Sequence, residues 1–265
     1  MYSVNGIPLD NPAMGWVFRA PSRPLTELVV RRPSVTLPGR LGVVRGIYAS
    51  PEAVTPTFVV QTPRENLEAL YSLFMRGWRI TRTDDPTRNV LYEFLSATPE
   101  GYGEGDKIVD LNVIVRFPEV FWRATDQTTS AAVTINTPSQ VVSGLFPGLS
   151  GDIVDPVIRL KGAFSGLHVT DSGNSWFSYS GAISATQYLR FDGGSGRAWV
   201  TTTDTWSGGT EVSGSIDFSS PGFRISPHWP VGLGSNIRDG RCTVATATRS
   251  GMTFEVRGNA AYVLS

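Results

Sequence analysis

Few stretches of this 265-residue chain carry the residue types that chemistry needs at useful spacings. Asp171-Ser172-Gly173, after an apolar run, has the form of half an aspartic-protease site. That chemistry needs two carboxylates sharing one proton, and no second Asp-Ser/Thr-Gly triplet occurs. A tight turn between strands accounts for it better. Asp152 and Asp155 could be read as an acid pair, but Pro156 follows directly and turn initiation explains them. A glycosidase also needs two carboxylates at a fixed separation; among 23 acidic residues nothing selects a pair. His168, between Leu167 and Val169, falls on the polar face of a strand, and His228 sits in a Pro-His-Trp-Pro loop. Two histidines without a cysteine pair or an HxxxH spacing make no metal site. Cys242, the only cysteine, excludes an intrachain disulfide and alternates with Val244 as a small core residue. There is no P-loop, no nucleophile elbow and no dinucleotide fingerprint. No catalytic, metal or cofactor-binding residue is therefore assigned, and no cofactor is expected.

One surplus remains. Trp176, Tyr179, Tyr188, Trp199, Trp206 and Trp229 crowd the second half. Exposed aromatic rings can stack on the apolar faces of sugars, and Trp206 and Trp229, in turn-like contexts, are the candidate carbohydrate-binding residues. The competing reading is that most of these rings fill a core, where aromatics contribute large buried area.

Charge narrows the partners. Lys+Arg and Asp+Glu both number 23, split 14 and 14 before residue 130 and 9 and 9 after it. No basic half is present to hold nucleic acid by charge. The first ten residues lack the basic and apolar regions of a signal peptide. No window approaches the roughly 20 apolar residues of a membrane span. The expectation is a soluble protein made in a cytoplasm.

The elements that must position these residues are mostly strands. Residues 62–78 hold the one long helical pattern: Leu67, Leu70, Tyr71, Phe74 and Trp78 form an apolar stripe. Thr62 as N-cap, Pro63 at N1 and Glu65 at N3 predict a capping box and a helix over 63–76, with Gly77 closing it in a left-handed conformation. Asn5-Gly6 predicts a hairpin turn. Pro21, Pro24, Pro33 and Pro38 leave only short or edge segments between them, with a better strand at 41–48. Val109, Leu111, Val113, Val115 and Phe117 alternate with polar residues and predict a strand with one buried face. Near Asp126 the aromatic FPEVFWRA gives way to the polar DQTTSAA, which predicts a boundary between domains at 1–126 and 127–265. From Ala131 onward no helix is expected. Short strands alternate there with turns at 171–174, 193–196, 207–209 and 249–251, the pattern of a β-sandwich or jelly roll.

Taken together, the stretches VNGIPLDNPAMGW and RRPSVTLPGRLGVVRG, the helix between strands, KIVDLNVIVRFPEVFWRA, GDIVDPVIRLKGAFSGLHVTD and YLRFDGGSGRAWV resemble the distal tail proteins of long-tailed, siphovirus-type bacteriophages. The likeness spans nearly the whole chain and contains no catalytic signature. FRISPHWPVGLGSNIRDG departs from it, being longer and lacking a Pro-Gly-x-Asn before the last strands. The resemblance implies a mainly β fold. An N-terminal β-sandwich or split-barrel-like domain with one α-helix precedes a C-terminal galectin-like (jelly-roll) β-sandwich. It further implies a structural, non-enzymatic protein of the virion tail tip, assembled in the host cytoplasm. The N-terminal domains would form a homohexameric ring around a channel that DNA crosses in transit. Partners would be the tail tube protein, the tail-associated hub protein, the tape measure protein, and receptor-binding proteins or host glycans. Two other readings stay open: a carbohydrate-binding module using the C-terminal aromatics, and a glycoside hydrolase or esterase with two facing carboxylates.

Overall fold

The computed structural model describes residues 2–19, 30–31, 34–36, 43–45, 50–101, 103, 105, 107–228 and 238–263. The chain divides into two compact units, Met1–Thr125 with Val263–Ser265, and Asp126–Tyr262. The fold is mainly β, with several antiparallel sheets and one α-helix among the described residues.

The first unit opens with the expected hairpin. Asn5 and Gly6 both take left-handed backbone angles (φ 48° and 85°), and Val4 pairs with Ile7 across the turn. The Asn5 side-chain oxygen then accepts hydrogen bonds from the backbone N–H groups of Trp78 and Arg79, 3.3 and 3.1 Å away. One turn residue thus fastens the chain where it leaves the helix. The hairpin continues into a sheet ordered Ile7–Pro8, Tyr2–Val4, Arg79–Arg82, Arg88–Leu91, Trp122–Ala124. A second sheet runs Glu93–Glu100, Ile108–Arg116, Thr57–Pro63, Val17–Arg19. Its second strand is the alternating one: Val109, Leu111, Val113 and Val115 are buried, as is Phe117 just beyond. Residues 30–31 and 34–36 pair with Ser50–Pro51 and Val43–Arg45 as short separate ladders. The rest of the expected 41–48 strand lies outside the described residues.

The helix is shorter than its sequence predicts. It spans Leu67–Arg76, after a 3-10 turn at Arg64–Asn66, and not 63–76. Thr62 and Pro63 stay in the strand because the ladder to Val109 and Ile108 holds them there, and Arg64 N–H still donates to the Lys107 carbonyl at 3.0 Å. Thr62 is fully buried and caps nothing. Asn66 occupies the cap without a side-chain capping bond, its amide donating instead to the Met14 carbonyl at 2.8 Å. Gly77 is extended (φ −73°, ψ 157°), not left-handed. It is required by crowding: a Cβ there would lie 2.1 Å from the Tyr92 hydroxyl and 2.5 Å from Val4. That hydroxyl donates to the Phe74 carbonyl at 2.8 Å. Leu67, Leu70 and Phe74 bury the stripe, and Trp78, past the helix end, stays exposed. Phe74 meets Phe58 at 6.2 Å, and Phe58 in turn meets Tyr2.

The second unit is built on the 15-residue strand Val157–Asp171. Its first half pairs with Tyr188–Asp192 on one side and Thr248–Gly258 on the other. Its second half pairs with Trp176–Ile183 and Asp239–Ala245. The strand therefore passes from one sheet of a sandwich into the other. The burial parity records the passage: Ile158, Leu160 and Phe164 point inward, then Leu167 and Val169. The register shifts after Lys161 and after Ser165 place their extra residues in the partner strands; within the long strand the parity changes across Gly166, whose backbone is left-handed (φ 60°). Gly162 (φ 99°) permits the closest approach, since a Cβ there would lie 2.4 Å from the Gly251 carbonyl oxygen. Residues 249–251, expected as a turn, are consequently part of the strand Thr248–Gly258, bulged where it faces Gly162. Between the sheets Phe177 stacks on Phe191 at 4.1 Å, with Phe223 edge-on to both.

Phe74→Ala should cost about 3–5 kcal/mol of stability, as for other buried phenylalanines, whereas Met75→Ala, at a 63 % exposed position, should stay within about 0.5 kcal/mol. Urea denaturation of the two variants separates them; equal effects would contradict the assigned helix face.

Candidate functional site

The structure brings together two carboxylates that the sequence presents in unrelated motifs. Asp171 closes the turn after the long strand: its carboxylate accepts from the N–H groups of Gly173 and Ser226, both at 2.9 Å, and from the hydroxyls of Ser172 and Ser175. Ser226 also faces Asp152, which pairs with Arg224 at 3.4 Å. Burial raises the pKa of Asp171, with its hydrogen bonds opposing, and burial raises that of Asp152 against the pull of Arg224. In an acid dyad the two carboxylates share one proton. Here the Ser226 side chain stands between them and every Asp171 oxygen is already hydrogen-bonded. The cluster ties residues 171–175 to residues 224–226 and offers no reacting group. Cys242, opposite Asp171 across the ladder, is fully buried, and burial followed by the Asp171 charge pushes its thiol well up. No group of three or more His, Cys, Asp or Glu able to hold a metal occurs among the described residues.

Of the surplus rings, Tyr179 and Tyr188 are buried and Trp176 is half-buried. Trp199 and Trp206 are only half-buried, and neither fills the core. Arg159 and Arg190 sit directly opposite each other on neighbouring strands, and so share the outer face of the first sheet of the sandwich. Arg190 lies over Trp199 at 4.3 Å. The loop 202–209 folds back so that Trp206 lies on Arg159 at 4.5 Å, with Arg257 at 5.7 Å. Arg159 also lies over Tyr188, bonds Glu255 at 2.8 and 2.5 Å, and bonds Asp204 at 2.5 Å. This is a ladder of cations and rings, each guanidinium set against the negative face of an indole or phenol. The ring of Trp206 is thus engaged by arginine. Trp229 lies outside the described residues. His168, exposed as expected, stacks on Trp176 at 5.3 Å. Sequence patterning missed the ladder because it scores charged and aromatic residues separately; the alternation Arg159-Leu160-Lys161 and Trp199-Val200 was its only trace.

Apolar exposure is concentrated elsewhere. Of nine large hydrophobic residues exposed among the described residues, six lie in the first unit: Ile7, Val17, Met75, Trp78, Leu95 and Ile108. Val17 is on one edge strand of the second sheet there and Leu95 on the other. A cavity of about 520 Å³ in the same unit is lined by Ile7, Met14, Trp16 and Leu73 among others.

The architecture is that of a β-rich, two-unit chain with one α-helix among the described residues. No family model matches the chain, and no curated protein matches it by sequence. Among solved structures it shares its fold with the Dit (gp 19.1) protein of phage SPP1, described as a paradigm of the hub adsorption apparatus in phages that infect Gram-positive bacteria. The TM-score is 0.56 at 14 % identity, over 91 % of this chain and 93 % of that one. Chains of the phage P2 baseplate in its activated conformation, with Ca or with Sr, match at 12 % identity. They cover 92 % and 91 % of this chain and 91 % and 90 % of theirs, at TM-scores of 0.36 and 0.35, too low to establish a common fold.

Two outcomes test the electrostatics. Glu255→Ala, which strips buried Arg159 of its two-nitrogen partner, should lower stability by about 3 kcal/mol; Asp204→Ala, whose carboxylate is 66 % exposed, should cost about 1 kcal/mol or less. Because Asp171 and Asp152 have raised pKa values in the fold, their contribution to stability is fullest below the unfolded carboxylate range. It is lost as pH rises through the raised values. The double variant Asp152→Asn/Asp171→Asn should therefore lose less stability than the wild type as pH rises above about 4, read from urea midpoints across pH; an unchanged slope would refute the assignment.

Proposed function

We propose that this chain is a structural protein of a bacteriophage tail tip, a distal tail protein with no enzymatic activity. The observation that carries the reading is fold likeness to a phage Dit protein over 91 % of this chain and 93 % of that one. A shared fold alone leaves function open; the site supplies the rest. The carboxylates that come together are locked in hydrogen bonds, which supports a non-catalytic role. The first unit carries two sheet edges and most of the exposed apolar residues, the features of a chain completed by its neighbours.

In this reading the first unit, 1–126, closes head-to-tail with five copies into a homohexameric ring around a channel for DNA. Heterologous contacts close in this way when the rotation per subunit is 60°. The second unit, 127–265, is the galectin-like sandwich and projects from the ring. The ring joins the tail tube protein to the tail-associated hub and tape measure proteins and to receptor-binding parts, in the virion, after assembly in the host cytoplasm.

Light scattering and electron microscopy of the purified chain, with fragments cut at residue 126, test this. The expected outcome is a hexamer with a central hole, an associating 1–126 fragment and a monomeric 127–265 fragment. Assembly carried by the 127–265 fragment alone would overturn the assignment of roles.

A further inference from the structure

We propose that the open end of the sandwich in the second unit is a binding site for a neutral saccharide. The proposal rests on the second unit alone and does not depend on the tail-tip reading. A cleft of about 570 Å³ lies there, within the usual range of small-molecule sites. Tyr179 reaches it from one sheet, and Val200 and Thr201 from the other; Gln187, in the turn that joins the sheets, lies beside them.

The polar groups of the cleft are unspent. The ring of Tyr179 is buried, at 6 % exposure, while its hydroxyl oxygen stays open to the cleft and has no hydrogen-bond partner among the described residues. Burial alone raises its pKa. Gly181 makes room for it, since a Cβ there would lie 2.4 Å from that oxygen. The Gln187 side-chain oxygen accepts from the Ser184 N–H and hydroxyl at 3.0 and 2.9 Å, which leaves its amide nitrogen without a partner among the described residues. Thr202 and Thr210 add hydroxyls at the rim.

These groups select the ligand by elimination. No charged side chain lines the cleft, so an ionised ligand would lose water without gaining a counter-charge. A wholly apolar ligand would seal the Tyr179 hydroxyl away unpaired, at a cost. A sugar satisfies both conditions. Its hydroxyls donate and accept, as threonine and tyrosine hydroxyls do, and its C–H faces match Val200 and Val212. The site is on the opposite face of the sheet from Trp206, because Val200 alternates with Trp199 and only Trp199 joins the arginine ladder.

Saturation-transfer NMR on the full chain tests the site, with maltotriose, chitotriose and galactobiose as neutral probes and trigalacturonate as the anionic one. At least one neutral probe should bind and trigalacturonate should not. Thr210→Arg should abolish binding. Tyr179→Phe should weaken it about five- to tenfold, the loss of one hydrogen bond. Trp206→Phe should leave it unchanged. Matching free hexoses against longer oligomers then separates a one-ring site from one that takes a polymer chain. No binding by any neutral probe, binding unchanged in Thr210→Arg, or binding lost only in Trp206→Phe would overturn the proposal.

Discussion

The second unit depends on one strand that changes sheets. Val157–Asp171 is hydrogen-bonded on both sides along most of its length, first in one sheet and then in the other. A sandwich whose sheets are joined only by loops can slide until side chains stop it. Here the covalent backbone fixes the offset, and the Phe177–Phe191 stack follows from it. The shift of burial parity between Phe164 and Leu167 is the essential step: without it, one half of the strand would turn its apolar side chains to solvent. Gly162 and Gly251 exist to let the bulge close.

The two faces of the first sheet of the sandwich then diverge. Inward side chains make an apolar core. Outward ones make a surface on which cations are held by rings and carboxylates, with Arg159 at its centre. The loop 202–209 belongs to both, since Asp204 and Trp206 fasten it to Arg159 while Thr202 and Gly209 border the cleft. The position of the cleft rim is thus set by contacts on the other side of the sheet.

Local pattern was enough for much of this. The Asn5-Gly6 hairpin, the alternation at 109–117, the stripe of Leu67, Leu70 and Phe74, and buried Cys242 all follow from neighbours a few residues apart. What pattern could not supply was competition from distant partners. Thr62 and Pro63 had the grammar of a helix start, but the ladder to residues 108–109 outweighed a capping box. Gly77 looked like a cap and is instead a gap kept for Tyr92 and Val4. At the candidate sites, Asp152 and Asp171 were visible as turn residues; that Ser226 joins them was not, because 55 residues separate Asp171 from Ser226. The rings of Trp199 and Trp206 were visible as a surplus, and their arginine partners were unreadable until strand register placed Arg159 opposite Arg190.

The sheet-changing strand also decides how the second unit answers to force. Tension along Val157–Asp171 acts parallel to the strand and across ladders on both flanks, so it loads their hydrogen bonds in shear. Bonds loaded in shear fail together, whereas bonds peeled from an end fail in sequence. The unit therefore resists extension along this axis far more than along the short edge strand Thr210–Glu211, which peels from a single neighbour.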